Sequence, residues 1–229
     1  MSSICIITAR GGSKRIPKKN IKEFCGLPII AYSIQAARDS NIFDEVMVST
    51  DSKEIADIAC KFGAKVPFMR SAKNSDDHST TADVLLEVIE EYRNIGKTFD
   101  FTCCVYPTAP FVTSAKLRQA MNELISQEAD AIIPIVKFSF PPQRCFVKSG
   151  EKIIYKWPEN MFTRSQDLEP YYHDAGQFYF IKTAVLETCK ALVPQNTISL
   201  EMDEMEVQDI DNLTDWRLAE VKYKFMQGK

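Results

Sequence analysis

Residues 4–50, "ICIITARGGSKRIPKKNIKEFCGLPIIAYSIQAARDSNIFDEVMVST", decide the fold. A short β-rich run at 4–8 leads through a basic, glycine-containing loop to a helical pattern at 29–40, and a second β-rich run closes the stretch at 45–50. Strand, helix and strand in that order predict a βαβ unit, whose crossover lays the two strands side by side and parallel. The alternation continues with a helical pattern at 52–63. In "TTADVLLEVIEEYRN", Val84, Leu85, Val88, Ile89 and Tyr92 share one helical stripe, and Thr80 with Asp83 has the spacing of a capping box. That stripe is expected to lie on the sheet.

"FDFTCCVYP" (99–107) is an unbroken apolar run ending at Pro107, which predicts a strand covered on both faces at the sheet centre. A helix at 114–127 and a strand at 131–138 follow. The rhythm then breaks: 139–176 holds Pro141, Pro142, Pro158 and Pro170 among mixed polar and aromatic residues, and reads as an insertion. A strand at 177–182, a helix at 183–192, a strand at 198–202 and a helix from Leu213 to about Gln227 complete the pattern. The expectation is one α/β domain over 1–229: a mostly parallel, doubly wound, Rossmann-like sheet flanked by helices, with 139–176 as a small insertion.

A chain of 229 residues suits one such domain with a single large core. With 28 Lys+Arg against 31 Asp+Glu, a formal charge of -3 gives no general attraction to nucleic acid or an anionic membrane, so the basic loop is a local feature. The seven cysteines show no CxxC spacing and fall mostly in apolar segments, as free thiols do in a reducing compartment. No run approaches the roughly 20 apolar residues of a membrane span, and Met1 leads straight into a strand. A cytoplasmic protein with neither nucleic-acid nor membrane partners is expected.

The loop after the first strand carries Arg10, Gly11, Gly12, Ser13, Lys14, Arg15, Lys18 and Lys19. In open parallel sheets ligands collect at the carboxyl ends of the strands. Glycines let backbone N–H groups approach an anion, and lysines neutralise it as point charges. The loop lacks both GxxxxGK[ST] and GxGxxG, which excludes a P-loop and a dinucleotide fingerprint. A solvated basic loop is the competing reading. In "QDID", Asp209 and Asp211 stand two apart, so an extended backbone puts both carboxylates on one face, where they suit a hard cation such as Mg2+. The competing reading has Asp211 and Asn212 capping the last helix, with Asp215 in its first turn.

Residues 9–34, "ARGGSKRIPKKNIKEFCGLPIIAYSI", resemble the nucleotide-binding segment of the CMP-sialic acid synthetase (acylneuraminate cytidylyltransferase) family. "VSTDSKEIADIA", "DDHSTTADV", "YPTAPF", "TRSQDLEP", "HDAGQFY" and "QDID" follow in the family's order, so the resemblance spans essentially the whole chain. "YPTAPF", "TRSQDLEP" and "HDAGQFY" are most similar to the pseudaminic acid branch. The resemblance implies an enzyme that couples CTP to a nine-carbon nonulosonic acid, with Mg2+ as cofactor.

By the same resemblance, Arg10, Gly11, Gly12, Ser13, Lys14, Lys19 and Asn20 bind the triphosphate, and Arg70, Ser79 and Thr80 surround the cytidine and its ribose. Asp209 and Asp211 hold the metal, and Lys14, Lys19 and Asp211 carry the catalysis. Tyr106, Arg164, Gln166, Gln177 and Tyr179 meet the sugar, with Arg164 suited to forking onto its carboxylate. The residues themselves leave Ser79 and Thr80 readable as helix caps and Tyr106 as a plain aromatic. Sialic acid members usually have Gln where this chain has Tyr106, which turns the expectation from N-acetylneuraminic acid toward pseudaminic acid, with legionaminic acid as an alternative. The insertion resembles the family's dimerisation arm, implying a homodimer, and the pseudaminic branch implies flagellin or surface-glycan modification. A nucleotide-sensing module that binds CTP without reaction is the alternative of another class.

Overall fold

The computed structural model describes residues 1–76 and 78–228. The first half of the chain forms β1 (Ser3–Thr8), β2 (Glu23–Phe24), β3 (Leu27–Pro28), α1 (Ile29–Ser40), β4 (Glu45–Ser49), α2 (Lys53–Lys61), α3 (Thr81–Asn94) and β5 (Phe101–Val105). Then come α4 (Ser114–Ser126), β6 (Ala131–Lys137), β7 (Phe146–Ser149), β8 (Lys152–Tyr155), β9 (Tyr172–Asp174), β10 (Phe178–Lys182), α5 (Thr183–Cys189), β11 (Thr197–Glu201) and α6 (Leu213–Met226).

The main sheet runs β11-β6-β10-β5-β1-β4, with β9 pairing farther along β6. β1 lies parallel to both β4 and β5, and β11 is parallel to β6, which makes the core mostly parallel and Rossmann-like. β5 sits centrally and is buried along its whole length, as its unbroken apolar run predicts. Two features differ from the sequence reading. β10 is antiparallel to β5 and β6, so its amino end meets the carboxyl ends of β1 and β5; apolar alternation carries no information on strand direction. A β2–β3 hairpin lies inside the loop region, too short to register as a period-2 pattern. Its turn needs positive φ at both central residues, supplied by Cys25 (46°) and Gly26 (101°).

Alternate residues of each strand feed two cores. Cys5, Ile7, Cys103, Val105, Phe178 and Phe180 pack with apolar residues of α1, α2 and α4. Ile4, Ile6, Cys104, Tyr179 and Ile181 face α3 and α5, where the predicted stripe of Leu85, Val88, Ile89 and Tyr92 is buried. The seven cysteines are free, and full burial pushes the Cys104 thiol up to about 12. A third cluster joins Ile16, Phe24, Ile29, Phe111, Ile210, Trp216 and Ala219, tying the loop after β1 to the segment before α6. Phe24 anchors it, with its ring edge-on to Tyr32, Trp216 and Tyr223. Among the described residues no helix is long and apolar enough to cross a membrane.

The expected capping box opens α3: the Thr80 hydroxyl accepts from the Asp83 N–H, and the Asp83 carboxylate accepts from the Thr80 N–H. The Asp83 carboxylate also accepts from the Thr80 hydroxyl at 2.6 Å, and these bonds hold its carboxyl below the usual range. A depressed folded pKa contributes stability above the unfolded value, roughly 3.9, and that contribution fades as pH falls through the folded value. Thr80→Ala should therefore cost about 1 kcal/mol near neutral pH, with the gap to the parent narrowing in acid. Urea unfolding at pH 7 and pH 3 measures both; an equal gap at both values would contradict the Asp83 contribution.

Candidate active site

A cavity of about 380 Å³ opens over the carboxyl ends of β1 and β5. Its walls include Arg10, Lys14, Arg15 and Lys19 on one side, with Tyr106 and Asp211 completing it. The loop is pinned at three places. The Gly11 N–H donates to Asp51 Oδ1 at 2.7 Å. A Cβ on Gly11 would stand 3.2 Å from Ser52 Cβ, so the close approach favours glycine there. Ile16 is buried in the third cluster, and buried Asn20 donates from Nδ2 to the Arg10 carbonyl at 2.8 Å, clasping the two ends of the loop. Between these pins Lys14 and Arg15 are exposed toward the cavity.

Across the cavity Ile210 is buried beside Ile16, so its neighbours Asp209 and Asp211 turn outward. Lys19 Nζ donates to the Ile210 carbonyl at 2.7 Å, and Arg15 Nη2 lies 2.6 Å from Asp211 Oδ1. Burial pulls the Lys19 ammonium down, while Asp211 and Asp209 push it back up. Burial, and then the nearby Asp211, push the Asp209 carboxyl above its ordinary value, with Lys19 opposing. The capping alternative holds in part: Asn212 caps α6 and Asp215 in its first turn closes the box, while the Asp211 side chain pairs with Arg15 instead. Among the described residues no group of three or more His, Cys, Asp or Glu has a metal-binding arrangement. A cation here would rest on the two carboxylates and on oxygens of its ligand.

Because β10 runs antiparallel to β5, its amino end supports Tyr106, which lines the cavity, while Gln177 and Tyr179 themselves lie outside the lining. The Tyr106 N–H donates to the Gln177 carbonyl at 2.9 Å, and its own carbonyl accepts from Ser33 Oγ at 2.8 Å. The Tyr106 ring stands edge-on to Tyr179 with centroids 5.4 Å apart. Tyr179 donates its hydroxyl to Asp174 Oδ2 at 2.6 Å, and burial raises both phenols. Gln177 donates to the Glu206 carbonyl at 2.6 Å, while its buried Oε1 has no hydrogen-bond partner among the described residues.

Other candidates lie farther away. Arg70 is buried behind the cavity, where it bonds Ser49 Oγ and the Ser49 carbonyl at the end of β4. Burial pulls its guanidinium down, and Asp51 with Glu87 opposes. Ser79 lines a neighbouring depression and bonds Asp76 Oδ1 at 2.7 Å, while Thr80 caps α3. Arg10 links the two regions by donating to the Asp76 carbonyl at 2.9 Å. Asp77 of the "DDHSTT" motif lies outside the described residues. Arg164 and Gln166 sit exposed on the insertion, Arg164 forked onto Asp167 at 2.7 and 3.1 Å, and neither lines the cavity. Sequence reasoning missed Arg15 and Asp174. Both lie in quoted motifs, but only the fold places Arg15 against Asp211 and Asp174 under Tyr179.

The model of the family described as "Cytidylyltransferase" matches residues 4–215. The chain is 40% identical over 226 residues to a pseudaminic acid cytidylyltransferase of Campylobacter jejuni, covering 98% of this chain and 97% of that protein. It is 32% identical over 227 residues to a CMP-N,N'-diacetyllegionaminic acid synthase of Legionella pneumophila, covering 96% and 95% respectively. Among solved structures, a CMP:2-keto-3-deoxy-manno-octonic acid synthetase complexed with CTP superposes over all of both chains with a TM-score of 0.70 at 17% identity, a likeness of fold.

The Asn20 clasp makes a direct prediction. Asn20→Ala leaves the Arg10 carbonyl short of a partner and should destabilise the protein by about 1–3 kcal/mol, with faster amide hydrogen exchange across residues 11–18. Unchanged exchange in that loop would show that the Gly11 and Ile16 pins hold it without the clasp.

Proposed function

This chain belongs to the cytidylyltransferase family, and on that premise we propose that it couples CTP to a nonulosonic acid, pseudaminic acid, giving the CMP-sugar and pyrophosphate. The observation that carries the reading is the meeting in one cavity of the cationic glycine loop and the Asp211 carboxylate over the carboxyl ends of β1 and β5. Arg10 and Lys14 face the position a triphosphate would take, with Gly11, Gly12 and Ser13 supplying backbone at the same loop. Cations held there by a pinned loop stabilise the charge that grows on departing pyrophosphate without reorganising. Lys19 acts from the carboxylate side, and Asn20 keeps the loop in shape.

The donor set fits Mg2+. Asp209 and Asp211 are hard oxygen donors; burial and then Asp211 raise the Asp209 carboxyl, and a divalent cation would relieve the repulsion between the two. When bound, Mg2+ supplies charge neutralisation at the triphosphate oxygens. In the proposed reaction the anomeric hydroxyl of the sugar attacks the α-phosphorus in line, the bond from that phosphorus to the bridging oxygen of pyrophosphate breaks, and the hydroxyl proton leaves toward Asp211. Tyr106 forms the sugar side of the cavity, and Gln177 supports it from beneath through its backbone carbonyl. A phenol at position 106 in place of an amide favours pseudaminic acid over N-acetylneuraminic acid.

The insertion supports a homodimer. Its hairpin and flanks expose Phe140, Phe146, Ile153, Ile154 and Phe162, the last at 89%, a concentration of apolar surface suited to an interface. Arg164 on the same insertion would then meet the sugar in the partner's cavity. The free thiols accord with a reducing, cytoplasmic setting. A nucleotide sensor is the reading of another class, but a pure binder has no use for an acidic pair facing a phosphate loop.

Pyrophosphate release with CTP and Mg2+ should occur with pseudaminic acid and be at least tenfold slower with legionaminic and N-acetylneuraminic acids, a discrimination of about 1.4 kcal/mol. Asp209→Ala with Asp211→Ala should abolish turnover. CTP binding without release on any of the three sugars would favour the sensor. Size-exclusion chromatography with light scattering should give twice the chain mass, and Phe140→Ser with Phe162→Ser should shift the protein to monomer.

A further inference from the structure

The Arg15–Asp211 pair is unaccounted for by nucleotide or sugar binding as described so far. Arg15 stands in the phosphate loop, directly before the buried Ile16, and lines the same cavity as Arg10 and Lys14. Its Nη2 lies 2.6 Å from Asp211 Oδ1, so a cation binding this carboxylate meets the guanidinium's positive charge and competes with it for the carboxylate. Lys19 cannot be exchanged in the same way, because it is more enclosed and tied to the Ile210 carbonyl at 2.7 Å.

The strength of the pair decides what it can do. The Arg15 side chain is 67% exposed and that of Asp211 42%, and ion pairs in such settings contribute about 0–1 kcal/mol. A buried pair of this kind would block a metal outright. An exposed one only lowers the affinity of Asp211 for a cation, and a triphosphate can open it, since guanidinium matches phosphate in fork geometry and the phosphate carries more charge.

We propose that Arg15 is a positioning residue that holds Asp211 in the free protein and passes to the nucleotide phosphates when CTP arrives, so that Asp211 becomes available to the divalent cation together with CTP. The exchange keeps local charge balanced: the guanidinium leaves one anion for another as the divalent cation takes its place. This inference rests on the reading of Asp209 and Asp211 as metal ligands. It implies an order of binding in which the free protein takes up the cation weakly and the CTP complex takes it up well.

Mn2+ binding followed by electron paramagnetic resonance tests it without turnover. Arg15→Gln should bind Mn2+ roughly two- to five-fold more tightly than the parent in the absence of nucleotide, and no more tightly in its presence. Arg15→Lys, which keeps the charge, should move back toward the parent, and circular dichroism checks that each variant is folded. Equal affinities for parent and Arg15→Gln without CTP would overturn the proposal. So would the same gain with and without CTP, which would mean that Arg15 acts only as a background charge. If the parent retains no Mn2+ even with CTP, or if Asp209→Asn with Asp211→Asn leaves retention unchanged, the metal reading falls and the role of Arg15 with it.

Discussion

Joint burial of Ile16 and Ile210 is the constraint on which the site depends. Each is nearly inaccessible in the cluster built around Phe24, and burying such a side chain contributes about 1.5–3 kcal/mol. The exposed ion pair beside them contributes far less, about 0–1 kcal/mol. Apolar packing therefore brings the loop after β1 to the segment before α6, and the charges follow. With Ile16 and Ile210 facing inward, their chain neighbours Arg15 and Asp211 are left facing each other across the cavity mouth. Lys19 reaches the Ile210 carbonyl for the same reason.

The resulting electrostatics are balanced without being quenched. Burial and then Asp211 raise the Asp209 carboxyl, Lys19 opposes that rise, and Arg15 pairs with Asp211 from the loop side. Asp211 and several bases line the cavity, so acid and base face each other across the space a ligand would enter. A cytidylyl transfer needs this kind of environment, where charge moves from the α-phosphorus to pyrophosphate while the protein stays still.

The surroundings of Tyr106 depend on the direction of one strand. Since β10 runs against β5, Gln177 and Tyr179 arrive beside Tyr106 at the carboxyl end of the sheet, and Asp174 just before them accepts the Tyr179 hydroxyl. A parallel β10 would have delivered its other end to this place. Arg70, which the motif order associates with the nucleotide, has a buried side chain that holds the end of β4 through Ser49.

Much of this was legible in the residues alone. Local rules placed α1 at 29–40, the capping box at Thr80 and Asp83, and β5 as a fully covered central strand, because helix caps, periodicity and apolar runs depend on neighbours a few positions apart. The motif order carried the family. What only the tertiary structure decided joins residues far apart in the chain: the antiparallel sense of β10, Asn20 across the loop to Arg10, the inward turn of Arg70, and Arg15 against Asp211. Strand direction leaves no trace in an alternating pattern, and an arginine reads the same whether it faces water or a carboxylate. Those outcomes were settled by which apolar side chains could be buried together, Ile16 with Ile210 above all.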